Sequence, residues 1–356
     1  VEMEMMAIFF LFLFFTTVSP KPISFGDFTA RFNRSYKDET EYEMRKRIFD
    51  DNVVKVLDLN AEHSADGLTF EINEFADMTP SEFQATRLMP NADLARNIAN
   101  RKAQHNAHTV RDSTFSAPTN QNWFQKATTS IRDQGQCGSC WAFATVEQVE
   151  SDWFLSGKSG WTTPQNLSVQ QIISCDKSGA YGCGGSYPGG GSGYDFVIQN
   201  GGLASQESYP YTSGKTGATG TCKQVPNSGG KIVNYTYAIA PCDLPWSSCD
   251  DQDEEGLVDY VASKGPLAIT VNAKQWQFYK GGVMTGAVCG KHEFAALDHS
   301  VQLVGYAGYG TPKAYWIVRN SWVYSDGKPW GVDGLIYLAM NNNTCGLANV
   351  PSHAVV

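Results

Sequence analysis

All nine cysteines of this 356-residue chain fall between Cys137 and Cys345, and the first 136 residues hold none. Cross-links and thiol chemistry are therefore confined to the later part, and the front must hold together by packing and polar contacts alone. The odd count leaves at least one cysteine outside any intramolecular pair. Such a leftover thiol is either an intermolecular link or a reactive group. With 42% apolar and 18% charged residues the chain can bury one or two genuine cores, which excludes a disordered or coiled-coil protein and a small disulfide knot. Net charge is −9, and the densest basic cluster is Arg45-Lys46-Arg47. Without a concentrated basic face to displace counterions, nucleic acid is not an expected partner.

The chain divides into three stretches. Residues 6–18 are almost wholly apolar, too short to span a bilayer, and match a signal-peptide core with Thr17 and Ser19 near the cleavage point. A signal peptide is expected over residues 1–19, and the secretory route it implies permits disulfides. Residues 39–62 carry a helical pattern (Met44, Ile48, Val53, Val56, Leu59), residues 70–75 alternate like a strand, and Met78-Thr79-Pro80-Ser81-Glu82 reads as a turn into a helix. Residues 90–110 are polar and aperiodic, an expected exposed linker of the kind proteases cut. The third stretch, residues 117–356, has a helical pattern from Ser139 to about Leu155, glycine-rich loops around residues 182–193, and strand-like runs at 267–271, 301–304, 315–318 and 335–338. Helices first and strands later predict an α+β fold of two halves with a cleft between them. The acidic run Asp250-Asp251 with Asp253-Glu254-Glu255 reads as a solvated loop leading into a helix start. No later stretch is apolar enough for a membrane span, so no membrane contact is expected after processing.

Cys140, in Gln134-Gly135-Gln136-Cys137-Gly138-Ser139-Cys140-Trp141, sits at the predicted start of a helix. Unpaired N–H groups and the macrodipole favour an anion there, and the thiolate is the nucleophilic form. A protonated imidazole nearby would lower the thiol pKa further. His299, in Leu297-Asp298-His299-Ser300, precedes a strand and can stand at a cleft edge. His63, His105 and His108 belong to the front region, His292 to a loop and His353 to the end of the chain.

Cys137-Gly138-Ser139-Cys140-Trp141 is the local signature of the papain/cathepsin cysteine proteases, and the chain resembles that family along nearly its whole length. The resemblance implies a papain-like fold of two subdomains, a helical L half holding Cys140 and a β-barrel-like R half holding His299 and Asn320, preceded by a helical propeptide. It implies that Cys140 attacks the scissile carbonyl, that His299 is the general base and acid, and that Asn320 orients the imidazole. Gln134 and the Cys140 backbone N–H would bind the oxyanion, with Trp322 covering the His299–Asn320 bond. Glu41, Arg45, Phe49, Asn52, Val56 and Asn60, followed by Asn73, Phe75 and Asp77, resemble the motifs of cathepsin L-type propeptides. Those propeptides run through the cleft in reverse and block it. Residues 20–116 are thus expected to be an inhibitory propeptide, loosened at acidic pH and removed by a cut near residues 111–117. The resemblance also implies the disulfides Cys137–Cys183, Cys175–Cys222 and Cys289–Cys345. Cys242 and Cys249 remain and are expected to pair locally, leaving Cys140 free.

Several departures bear on substrate choice. Cys183-Gly184-Gly185-Ser186-Tyr187-Pro188 has serine where the family motif has a second glycine, which bears on main-chain docking. Val350 falls where the family floors its S2 pocket, and an uncharged floor favours apolar P2 side chains. Gly138, Gly185, Ser186, Tyr187, Pro188, Leu297, Asp298, Trp322 and Val350 are the expected substrate-binding residues. His299 and Asn320 lie 159 and 180 residues past Cys140, against roughly 130–150 in the family. The Cys242–Cys249 insert accounts for part of this, and residues 323–328 look like a second insert on the primed side. No pair of histidines marks an occluding loop, so an endopeptidase is expected. A zinc or redox reading of Cys137-x-x-Cys140 lacks a second cysteine pair or a thioredoxin-like context, and Gly189-Gly190-Gly191 lacks the lysine of a phosphate cradle. No metal or other cofactor is expected. The rival from another class is a catalytically inactive papain-like protein used for binding or storage, against which all four catalytic groups are present. Expected partners are protein and peptide substrates, the chain's own propeptide and cystatin-type inhibitors, acting on a monomer that is secreted or held in a lysosome or vacuole. Asn33, Asn166, Asn234 and Asn342 fit the glycosylation sequon.

Overall fold

The computed structural model describes residues 23–89, 115–177, 182–186, 188, 193–242 and 248–356. The expected leader 1–19, the 90–110 linker, His105, His108, Tyr187 and Gly189 to Gly191 lie outside them. The front region is helical: Phe25–Arg31, Glu39–His63 and Pro80–Arg87. Each helix begins on a side-chain cap, from Ser24, Asp38 and Thr79 respectively, and Thr79 with Glu82 forms a capping box ahead of Pro80. Of the expected apolar positions on the long helix, Val56 is buried and Val53 and Leu59 pack against the core, whereas Met44 is 39% exposed; Phe49 and Asn52 are buried on the same face as Val56. Phe25, Phe28 and Phe49 pack ring against ring to make the small core of this region. The expected strand over 70–75 shrinks to β1, Thr69–Phe70. Side chains replace the rest of the ladder. Asn60 bonds both the N–H and C=O of Phe70 at 2.8 and 2.9 Å, and Asn73 bonds the Phe75 N–H and the Gln277 carbonyl.

The later region holds the helices Cys140–Leu155, Val169–Cys175, Gly193–Asn200 and Glu254–Ser263. Its strands are β2 Gln121–Asn122, β3 Asn234–Tyr237, β4 Leu267–Val271, β5 Tyr279–Gly281, β6 Val283–Met284, β7 His299–Ala307, β8 Tyr315–Arg319, β9 Leu335–Ala339 and β10 Ser352–Val355. One sheet runs β3-β10-β4-β7-β8-β9-β6, with β2 beside β7, and β1 pairs antiparallel with β5. The expected runs at 267–271, 301–304, 315–318 and 335–338 all fall within these strands. One core cluster gathers the helices that start at Cys140, Val169 and Gly193, and another gathers most of the sheet with the helix Glu254–Ser263, which fits the two-half α+β architecture read from the chain. Four disulfides, Cys137–Cys183, Cys175–Cys222, Cys242–Cys249 and Cys289–Cys345, leave Cys140 as the free cysteine. Glu254, expected in a solvated loop, is buried at the start of its helix. There its carboxylate accepts from Trp316 Nε1 and from the N–H groups of Asn341 and Asn343.

The helix Cys140–Leu155 is buried on every face along its first twelve residues, so even its polar side chains point into the protein. Glu147 and Glu150 meet Arg319 and Arg132: Arg319–Glu147 is 3.2 Å and Arg132–Glu150 is 3.0 Å. Arg132 holds Glu150 through two guanidinium nitrogens. Gln302 of β7 donates to the Glu147 carbonyl and to Ser151 Oγ. This polar layer locks the helical half onto the sheet. Among the described residues no helix is long and apolar enough to cross a membrane.

Asp152, near the end of the same helix, has no cation beside it. Among the described residues its carboxylate accepts from the Ala354 N–H at 2.7 Å and Gln148 Nε2 at 3.0 Å, and burial pushes its pKa up to about 7. The native state therefore keeps a proton that the unfolded chain releases between about pH 4 and 7, so stability falls as pH rises through that window. Asp152→Asn keeps a carbonyl acceptor for both donors and removes the ionisation. Its melting temperature should match the wild type near pH 4 and exceed it by a few °C at pH 8, measured by thermal denaturation across pH. Equal melting temperatures at both pH values would show that Asp152 ionises freely in the fold.

Candidate active site

Topology brings the two R-half residues together. β7 and β8 are antiparallel with Gln302 opposite Arg319, so the first residue of β7, His299, lies beside the residue that follows β8, Asn320. The ring Nε2 of His299 is 2.8 Å from Asn320 Oδ1, which also accepts the Ser321 N–H at 2.8 Å. Because Oδ1 can only accept, Nε2 must carry the proton, which leaves the lone pair of a neutral ring on Nδ1. That atom is buried and has no hydrogen-bond partner. Trp322 stacks on the ring with centroids 4.8 Å apart, and Trp276 meets it edge-on at 5.8 Å. Both indoles are fully buried, so water is kept from the His299–Asn320 bond.

The same polar layer brings Cys140 to this pair. Gln302 lies three residues along β7 from His299, and Glu147 lies seven along the helix from Cys140. At roughly 3.3 and 1.5 Å per residue, each separation is about 10 Å, so the bond from Gln302 to Glu147 sets the start of the helix against the start of β7. The backbone N–H groups of Ser300, Trp141 and Cys140 lie close enough to the Cys140 sulfur to pull its pKa down. Ser139 stands at the N-cap without capping the helix with its side chain.

Gln134 is gripped from several sides. Its Oε1 accepts from Ser321 Oγ at 2.8 Å and Trp322 Nε1 at 3.0 Å, which turns its amide nitrogen toward the cleft. There Nε2 donates to the backbone carbonyls of Cys137 at 3.1 Å and Arg87 at 3.0 Å. Arg87 belongs to the front region, whose chain crosses the cleft. The Met89 N–H donates to the Asp298 carbonyl at 2.6 Å. A Cβ on Gly138 would stand 3.3 Å from the Leu88 carbonyl and 2.6 Å from that of Cys183. Glycine there allows both close approaches. Met89 shares a buried apolar cluster with Cys140, Leu297 and Val350. The Arg87 guanidinium is buried over the Phe75 ring, 3.5 Å from Asp133. Nothing in the sequence singled out Arg87, Met89 or Ser321, because their roles arise from contacts across the fold.

The remaining expected substrate residues surround this point. Cys183 accepts the Gly138 N–H, which places Gly185 and Ser186 next to the start of the Cys140 helix. Gly185 takes φ of 102°, whereas Ser186 is not among the positive-φ residues, so a serine fits its backbone without strain. Pro188 accepts the Tyr194 N–H and sits one layer back. Among the other histidines, His292 bonds Asp250 at 2.7 Å and His353 packs on Tyr260, both away from this cluster.

The expectation of a lowered thiol pKa meets a different electrostatic state. Cys140 and His299 are both fully buried. Burial pushes the thiol up to about 12 against the pull of its backbone N–H donors, and it draws His299 down to about 4 against the pull of Asn320. With the front region across the cleft, the helix terminus is outweighed by desolvation and both groups are neutral. Asp298 is likewise raised to about 7 by burial, with Oδ1 on the Ala273 N–H and Oδ2 bare. Among the described residues no cluster of His, Cys, Asp or Glu could hold a metal ion.

Comparison with known proteins agrees with this geometry. Residues 117–355 match the papain family cysteine protease model, and residues 25–83 match the cathepsin propeptide inhibitor domain (I29). The chain is 34% identical to cysteine proteinase 1 of Dictyostelium discoideum, over 99% of this chain and 100% of that protein. It is 36% identical to ananain of Ananas comosus, over 96% and 93% of the two chains. The structure of digestive procathepsin L2 proteinase from Tenebrio molitor larval midgut superposes with a TM-score of 0.74 at 31% identity, covering 93% of this chain and 98% of that one. The chain belongs to the papain family of cysteine proteases, as a cysteine endopeptidase carrying a cathepsin-type propeptide inhibitor domain.

Proposed function

We propose that residues 117–356 are a thiol endopeptidase working through Cys140, His299 and Asn320, made as a zymogen with residues 20–116 as propeptide and 1–19 as signal peptide. The observation that carries this reading is the imidazole that Asn320 locks with its proton on Nε2, leaving a bare Nδ1, together with a free, buried cysteine at a helix start near Ser300, the residue that follows His299. Once the cleft opens, His299 takes the Cys140 proton, and the thiolate attacks the substrate carbonyl. Gln134 Nε2 and the Cys140 N–H receive the oxyanion, and the imidazolium protonates the leaving amine; water then hydrolyses the acyl-enzyme. In the zymogen Gln134 already grips a peptide carbonyl, that of Arg87. Gly138, Gly185, Ser186, Leu297, Asp298 and Trp322 would line the substrate's path, with Pro188 behind; Tyr187 is expected to bind substrate too and lies outside the described residues. Cystatin-type inhibitors and a monomeric state suit this reading, as does a secreted or lysosomal/vacuolar location.

Residues 323–328 carry part of the propeptide. Ser325 N–H donates to Glu74 at 2.6 Å and Ser325 Oγ to the Phe32 carbonyl, Arg31 pairs with Asp326, and Tyr324 packs on Phe32 and Phe75.

Two measurements test the reading. Iodoacetamide should label Cys140 slowly in the zymogen at pH 7 and at least about 100-fold faster after acid processing to a form of about 240 residues, since processing removes the burial that holds the thiol neutral. Peptide mass spectrometry locates the adduct. A processed protein whose Cys140 stays inert would sink the proposal and favour an inactive scaffold. In a peptide panel varied at P2, Leu, Val and Phe should exceed Arg in kcat/KM by about 10-fold or more, because Val350 offers a cationic side chain no counter-charge. Equal turnover of P2 Arg would remove Val350 from the P2 pocket.

A further inference from the structure

The two oxyanion donors proposed above sit on different segments. The Gln134 amide is on the strand of chain that leads into the site, and the Cys140 N–H is at the start of a helix. A hole works only if its donors converge on one point at about 2.7–3.1 Å. The Tyr211 hydroxyl lies between the two segments. It donates to the Gln134 carbonyl at 2.6 Å and lies 2.9 Å from Ser139 Oγ. A phenol has one proton, so the short bond to Gln134 uses it and Ser139 donates to the Tyr211 oxygen. The other contact of Ser139 Oγ, to the Cys137 carbonyl, is longer at 3.3 Å. The Ser139 backbone, with φ of −105° and ψ of 13°, is not in the extended conformation of a capping residue, and its side chain makes no cap to its own helix. The helix start is left free to face an anion.

The Tyr211 ring is boxed in place. It meets Phe143 edge-on with centroids 5.1 Å apart, and a Cβ on Gly214 would stand 2.7 Å from its Cε1. The Gln136 N–H is tied to the Gly214 carbonyl at 2.8 Å, so the loop bearing Tyr211 also holds the segment between the two donors. On the far side the Gln134 N–H is anchored to Ser321 in the R half at 2.9 Å. The Gln134 backbone is thus held at its N–H from one half and at its carbonyl by Tyr211 from the other.

We propose that Tyr211 is a positioning residue for the oxyanion hole, its hydroxyl stapling the Gln134 segment to Ser139 and so fixing the separation of the Gln134 and Cys140 donors. The proposal rests on the catalytic roles assigned to those two residues. Its test uses the mature enzyme as wild type, Tyr211→Phe and Ser139→Ala, with three readouts. Turnover of a peptide anilide gives kcat and KM. A peptide aldehyde, whose thiohemiacetal oxygen occupies the hole, reports the hole through its Ki. Iodoacetamide alkylation of Cys140 across pH reports the thiol–imidazole pair and makes no use of the hole.

Tyr211→Phe keeps the ring and loses only the staple. Its kcat should fall about 10-fold and its aldehyde Ki should rise by a similar factor, a fraction of what loss of a whole donor costs. KM and the alkylation pH profile should stay as in the wild type. Ser139→Ala should move the same two readouts by a smaller factor. An active wild type with unchanged kcat and Ki in Tyr211→Phe overturns the proposal. So does a parallel fall in alkylation, which would mean general support of the site rather than positioning of the hole. If Tyr211→Phe does not fold, unchanged aldehyde affinity in Ser139→Ala overturns it. A wild type inert in both turnover and alkylation would instead overturn the function itself, and this inference with it.

Discussion

The first twelve residues of the helix that begins at Cys140 touch almost no solvent, and everything else in the site depends on how that helix is joined to the sheet. Two of those twelve side chains are carboxylates, Glu147 and Glu150, and they are matched by the guanidinium groups of Arg319 and Arg132. Removing one member of such a buried cluster leaves a bare charge and costs about 3–5 kcal/mol, far more than an exposed pair contributes. Because the pairing is charge-specific and Gln302 adds directional bonds, the two halves meet in one register. Arg319 precedes Asn320 directly, and Gln302 is three residues from His299. The contacts that fasten the halves therefore also set the start of the Cys140 helix against the start of β7, where His299 stands.

Burial supplies the control. A helix terminus and a neighbouring imidazole favour a thiolate, but both effects compete with the cost of charge in a dry site. In the zymogen, desolvation prevails, and thiol and ring are neutral. The propeptide does more than cover the cleft. Through Arg87 it places a carbonyl on the Gln134 amide, through Met89 it donates to Asp298, and through β1 it adds a strand to β5. They are formed by a segment whose helices and loops are anchored elsewhere by Asn60, Asn73 and the 323–328 loop.

Much of this was legible in the chain. The long propeptide helix, the Thr79–Glu82 capping box, the helix at Cys140 and four of the main strands follow from periodicity and capping chemistry, which are local. The Cys137-Gly138-Ser139-Cys140-Trp141 motif and its resemblance to a known family led to His299, Asn320 and Gln134. The readings that changed share a cause. The 70–75 strand shortened because asparagine side chains replaced its ladder, and Asn52, outside the apolar pattern of the long helix, is buried because it reaches the carbonyls of Ala76 and Met78. Glu254 left the solvated loop because Trp316 and two backbone N–H groups required its carboxylate.

The sequence by itself determined which residue types were available: one cysteine left over, a histidine ahead of a strand, an asparagine behind another, and a cysteine-free front region that must fold without cross-links. Those are properties of order and composition along one dimension. Only the tertiary structure decided the protonation of the site, the proton's place on His299 Nε2, the seating of Arg87 and Met89, and the convergence of Tyr211 and Ser139 on the segment of Gln134. Each depends on distances between residues far apart in the chain and on how much water reaches them, and burial and direction exist only once the two halves and the propeptide have closed on one another.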